Sequence, residues 1–220
     1  MKGGLSVLLA GVALLASASA AAWPSVPLPE HSQGEWVTRH MNYNGLHMRA
    51  SRFVTTLPLD DVKQFYKGLW GEQHVENELA EKTILGHASG QHFITVELKN
   101  LGGGTEGIVG VLEMVEGEVD FTPGEGFPVP GGSEVMSDVR YLDGPRESRM
   151  LSVENERTPF VNHQFYYHQL RMQGWRISSD PTACRSYSNT CIAGFERQKQ
   201  VATLVFARGQ VGSQVMAVIE

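Results

Sequence analysis

Residues 57–69 read LPLDDVKQFYKGL and residues 158–170 read TPFVNHQFYYHQL. In both stretches residues spaced three or four apart share one helical face, Leu59, Val62, Tyr66 and Leu69 in the first and Phe160, His163, Tyr167 and Leu170 in the second, all apolar but the histidine. That period predicts one helix in each, with a single buried face. Proline at 58 and 159 suits a first helical turn, where its missing N–H is not needed. Thr158 can cap the second helix. Leu57 offers the first no cap, but Asp60 and Asp61 face its positive end.

The two stretches lie 101 residues apart, and the same offset aligns VPLPEHS at 26–32 with FPVPGGS at 127–133. Pro27, Pro29, Ser32, Arg39, Ser51, Pro58, Tyr66 and Leu69 then recur as Pro128, Pro130, Ser133, Arg140, Ser152, Pro159, Tyr167 and Leu170. An internal repeat outranks other signals in deciding architecture. Each copy opens on Pro-x-Pro and continues with extended pieces at Val37 to Met41 and His47 to Thr55, matched by Val139 to Leu142 and Arg149 to Asn155. After each helix the period returns to two, as where Ile94, Val96 and Leu98 alternate with Phe93, Thr95 and Glu97. The expected fold class is therefore α+β: two tandem β-β-α-β-β-β modules, each an antiparallel sheet with one helix on a face. The expected boundaries are 23–115 and 127–220. Between them EGEVDFTPGEG, 116–126, is acidic and rich in Gly and Pro, the composition of a linker.

Residues 1–22 have the order of a secretory signal: one lysine, an apolar run from Leu5 to about Ala16, and small residues around Ala20 to Ala22. The run is shorter than the roughly 20 apolar residues of a membrane span, and no other stretch could serve as one. The expectation is a periplasmic or secreted chain, cleaved near Ala20 to Ala22. Cys184 and Cys191, the only cysteines, would join as a disulfide there.

The net charge is −6, which argues against nucleic acid as a partner. It is unevenly spread: residues 1–126 hold 8 basic and 15 acidic side chains, and residues 127–220 hold 10 and 9, nine of the ten being arginine. Arg140, Arg146, Arg149 and Arg157 are candidates for a positive face toward an envelope protein. No nucleophile elbow, phosphate loop, zinc-protease or dinucleotide signature occurs, and no cofactor is implied. The leading expectation is a non-catalytic interaction or assembly protein of the bacterial envelope. The alternative is a small-ligand binder with a site between the modules, for which Tyr66, Trp70, His163, Tyr167 and Trp175 are the residues to examine. His163 and His168 lie about 140° apart on a helix and cannot share a metal. His87 and His92 can: if Ser89-Gly90 is the turn of GHASGQH, they stand opposite one another on a hairpin, the spacing of a metal pair.

Overall fold

The structure is a computed structural model that describes residues 22–180 and 182–220. The predicted signal segment therefore lies outside the described residues, Ala22 excepted. Fourteen elements follow in order: β1 Ser32–Tyr43, β2 Leu46–Thr55, α1 Leu59–Trp70, β3 Val75–Leu79, β4 Lys82–Ser89, β5 His92–Asn100, β6 Thr105–Glu113, β7 Glu134–Tyr141, β8 Ser148–Asn155, α2 Pro159–Met172, β9 Arg176–Ile177, β10 Thr190–Arg197, β11 Gln200–Arg208 and β12 Ser213–Ile219.

The α+β expectation is corrected. All the strands belong to one 12-stranded sheet, ordered β3-β4-β5-β6-β2-β1-β7-β8-β12-β11-β10-β9, and the chain is predominantly β, 48% strand against 13% helix. Two causes lie behind the difference. Each helix is followed by four strands rather than three, because β3 and β9 form the outer edges. The strand β3 reads VENEL and is exposed throughout, so no alternation of polarity marks it as a strand. The second cause is that β1 and β7 pair antiparallel, with Met41 opposite Tyr141, Asn42 opposite Arg140 and Tyr43 opposite Val139. That pairing turns two sheets into one.

The recurring order within the sheet is β-β-α-β-β-β-β, and the buried side chains set its offset at 100 residues, one less than the prolines suggest. On α1 the buried residues are Val62, Tyr66 and Trp70; on α2 they include Asn162, Tyr166 and Leu170. Tyr66 thus corresponds to Tyr166, while Tyr167 is half-buried and Leu69 is exposed. At this offset Met41 stands opposite its own counterpart, so the β1–β7 pairing is self-complementary, as at a two-fold axis.

Both helices lie on the same side. Cross-strand partners share a face, and the chain of pairs His47–Asn42–Arg140–Arg149 carries the α1 face of β2 onto the α2 face of β8. Under α1 the core holds Phe53, Leu85, Ile94, Val96, Leu98, Val109 and Val111. Under α2 it holds Leu151, Val153, Ala193, Phe195, Leu204, Phe206 and Val215. The expected caps are seen: the Thr158 hydroxyl accepts the Val161 amide at 3.3 Å, and α1 has no side-chain cap but carries Asp60 and Asp61 in its first turn. On the opposite side of the sheet, Met41, Ala50 and Val139 cluster with Met48, Tyr141 and Met150 across the β1–β7 seam.

Segment 116–126 is tied to both halves. Val119 and Phe121 close on Gly45 in the β1–β2 turn. The Gly124 amide donates to the Asp138 carboxylate at 2.9 Å, and Phe127 enters the core under α2.

Two candidate clefts under the lead-in segments

Each half begins with an extended segment that crosses the helix-covered side of the sheet near β2 or β8. Under each segment lies a cleft, and an arginine stands at the same repeat position in both, Arg49 and Arg149.

In the second half the cleft is about 300 Å³ and is lined by Phe127, Arg140, Arg149, Trp175, Arg197 and Gln200 among others. Arg149 is bound bidentately by Asp138, with Nε to Oδ1 at 2.8 Å and Nη2 to Oδ2 at 2.5 Å. Burial of Asp138 by itself pushes its carboxyl up. The Arg149 hydrogen bonds, the Gly124 amide and the charges of Arg149 and Arg140 outweigh that and hold it below the usual carboxylate range. Arg140 lies 3.6 Å from Glu147, and its Nε is buried without a partner among the described residues. Arg197 lies over the Trp175 ring at 4.6 Å. Arg146 donates to the Lys199 carbonyl at 3.3 Å, in the turn beside Gln200. Two of the four arginines singled out in the sequence, Arg140 and Arg149, therefore line one cleft, and Arg146 stands near it without lining it. The fourth, Arg157, sits apart, donating to the Gly131 carbonyl. Arg197 escaped notice because only the β10–β11 hairpin brings it to the site.

In the first half the cleft is larger, about 470 Å³, and its walls include Trp23, Val26, Leu28, Trp36, Val109 and Val111. Arg49 reaches into it with its guanidinium 4.2 Å from the Trp23 ring centre.

The residues examined for a ligand site between the halves do not converge. Tyr66 is buried under α1 and donates to the Pro27 carbonyl at 3.2 Å; burial pushes its phenol above the ordinary range. Trp70 is stacked on His87, with ring centres 5.1 Å apart. Tyr167 is on the α2 surface, where Arg171 donates to its hydroxyl at 3.1 Å. His163 is in the core, edge-on to Phe206 at 5.6 Å. Trp175 alone of these lines a cleft.

The His87–His92 register is also corrected. His87 stands opposite Ile94, and His92 opposite Ser89. The turn is Gly90-Gln91, with Gly90 at φ +59°. A two-residue turn with positive φ at its first central position wants glycine there, and that requirement moves the pairing by one. Nδ1 of His87 is 2.6 Å from the Gln73 carbonyl, and His92 packs on Trp23 with ring centres 4.9 Å apart. No group of three or more metal-ligating side chains occurs among the described residues.

His163 has both ring nitrogens buried without a hydrogen-bond partner among the described residues, and burial holds its pKa below the ordinary imidazole value. The unfolded chain takes up this proton near about pH 6.5, whereas the folded one takes it up only at lower pH. The contribution to stability is thus complete above about pH 6.5 and declines as pH falls below it. Urea midpoints at about pH 7.5 and 5 are expected to differ in the wild type. His163→Leu is expected to reduce that difference and to stabilise the protein at low pH, by about 1 kcal/mol or more.

Cys184, in the loop before β10, is disulfide-bonded to Cys191 on β10, compatible with an exported chain. No helix among the described residues is long and apolar enough to cross a membrane. No family model, curated protein or solved structure matches the chain.

Proposed function

We propose that the protein is a non-catalytic binding protein of the bacterial envelope, exported to the periplasm, which holds an acidic protein segment in the arginine-lined cleft of its second half. The observation that carries this reading is that Arg140, Arg149 and Arg197 line one cleft with Trp175, outnumbering Glu147 and Glu220 on its wall. Asp138 neutralises Arg149 and so fixes its geometry. Arg140 and Arg197 keep donors in hand, since their carboxylate and amide partners leave part of each guanidinium unsatisfied. Carboxylates of a partner are the matching acceptors, bound bidentately. Trp175, buried at the edge of the core under α2, holds the Arg197 guanidinium over its ring and so fixes its position in the cleft. The signal-like first residues and the disulfide support the compartment.

The experiment is a cross-linked affinity purification of the tagged protein from its native envelope, at low and at high salt, with wild type and the Arg140→Glu/Arg197→Glu double variant in parallel. A stoichiometric partner retained by wild type is expected to fall by about tenfold or more in the double variant and to weaken with salt. Capture that is indifferent to both changes overturns the proposal.

A further inference from the structure

The first-half cleft does not share the chemistry of its counterpart, and the register shows where the difference arises. In the second half the residue opposite Leu151 is Asp138, the carboxylate that neutralises Arg149. The residue at the corresponding place, opposite Ser51, is Trp36. Arg49 has therefore lost the partner that Arg149 keeps. Its Nε is buried and makes no hydrogen bond among the described residues. Glu35, the one carboxylate lining this cleft, is paired with Arg52 at 3.1 Å. A guanidinium with a buried, unsatisfied N–H and no counter-charge is costly, and this half-buried one borders a cavity of about 470 Å³, within the range of small-ligand sites.

The walls specify the rest of the occupant. Val26, Leu28, Val109 and Val111 are aliphatic, and Trp23 and Trp36 add aromatic surface. Ser25 and Ser51 are the uncharged polar residues in the lining. We propose that this cavity binds a small amphiphilic carboxylate. Its head group replaces the missing aspartate on Arg49, and its apolar body lies against the tryptophans and over β6. The site lies wholly within the first half and is independent of the arginine-lined cleft proposed for a protein partner.

Dodecanoate is a suitable probe, with dodecanol and dodecyltrimethylammonium as neutral and cationic controls below their micellar concentrations. Binding to the full chain is followed by titration calorimetry and by tryptophan fluorescence, to which Trp23 and Trp36 contribute two of the four tryptophans. One dodecanoate per chain is expected, with the alcohol about tenfold or more weaker and the cation weaker still. Arg49→Gln is expected to bring the carboxylate down to the level of the alcohol. Trp36→Asp, which restores the second-half arrangement at an exposed position, is expected to abolish carboxylate binding while unfolding at the wild-type urea midpoint. No dodecanoate binding, equal affinity for acid and alcohol, or full binding by folded Trp36→Asp protein overturns the proposal.

Discussion

Asp138→Ala is expected to destabilise the protein by about 3–5 kcal/mol, the cost of leaving a buried charge without its partner. Asp138 is fully buried and the Arg149 side chain is only 15% exposed, so water replaces little of what is lost. The residue also anchors three parts of the chain. Its carboxylate accepts from Arg149 on β8 and from the Gly124 amide. Its backbone N–H donates to Asn44 Oδ1 at 2.8 Å, and its carbonyl accepts the Asn44 amide at 3.0 Å. A urea titration followed by circular dichroism measures the effect. The double variant Asp138→Leu/Arg149→Met is expected to recover most of the loss, because apolar replacement of both partners removes the unpaired charge. The carboxyl is held below the ordinary range, so its contribution is complete above the unfolded value near 3.8 and declines as pH falls through the folded one. A wild-type midpoint that drops in strong acid, with a flatter profile for the double variant, is the expected signature.

Gly212→Ala is expected to cost roughly 2–5 kcal/mol, the sum of backbone strain and overpacking. Gly212 has φ +67°, a conformation that alanine adopts only at a cost. A Cβ there would also run into the Asn155 carbonyl oxygen and Glu156 Cα. The same design recurs at Gly104, where a Cβ would meet the Thr55 carbonyl oxygen; Thr55 and Asn155 correspond at the 100-residue offset. Both glycines let the last strand of a half begin hard against the end of its second strand. Gly103→Ala, in the turn beside Gly104, provides the control, since nothing lies within 4 Å of the added carbon. Thermal or urea midpoints should separate Gly212→Ala from Gly103→Ala clearly, the latter staying within about 0.5 kcal/mol of wild type.

These glycines also show what the sequence conveyed and what it hid. Gly-rich stretches before β6 and β12 are readable as turns from composition, and both helices are readable from their apolar period. The offset is not. Prolines at 58 and 159 favour 101 residues, whereas the QFY triplets at 64–66 and 164–166, each ending on a buried tyrosine, require 100. A proline tolerates a shift of one residue at a helix start, but a core tyrosine does not. The edge strand β3 escaped because pairing on one side alone leaves charged side chains free to stay in water. The β1–β7 pairing escaped because its partners, Met41 to Tyr43 and Val139 to Tyr141, lie far apart in sequence and carry no pattern of their own. Of the clefts, the arginines were legible as residue types. The loss of a carboxylate beside Arg49 was not, since it depends on which residue lies across from Ser51.

The seam at β1–β7 has a kinetic meaning as well. Every other strand pair in the sheet lies within one half of the chain, and several are closed by hairpins a few residues long. The seam alone must bring together segments about 100 residues apart, as Met41 is from Tyr141, and closing so long a loop is entropically expensive. Three register pairs, the flanking Asn44–Asp138 and His40–Leu142 bonds, the Asp143 carboxylate accepting from the Thr38 hydroxyl and the Arg39 amide, and the small cluster around Met41 and Val139 repay it. Assembly should therefore proceed outward from the hairpins, with the geometric middle of the sheet the last place to zip and the first to part. Amide protons of Asn44 and Leu142, which bond across the seam, should exchange ahead of those in β5 and β11, although they sit at the centre of the molecule.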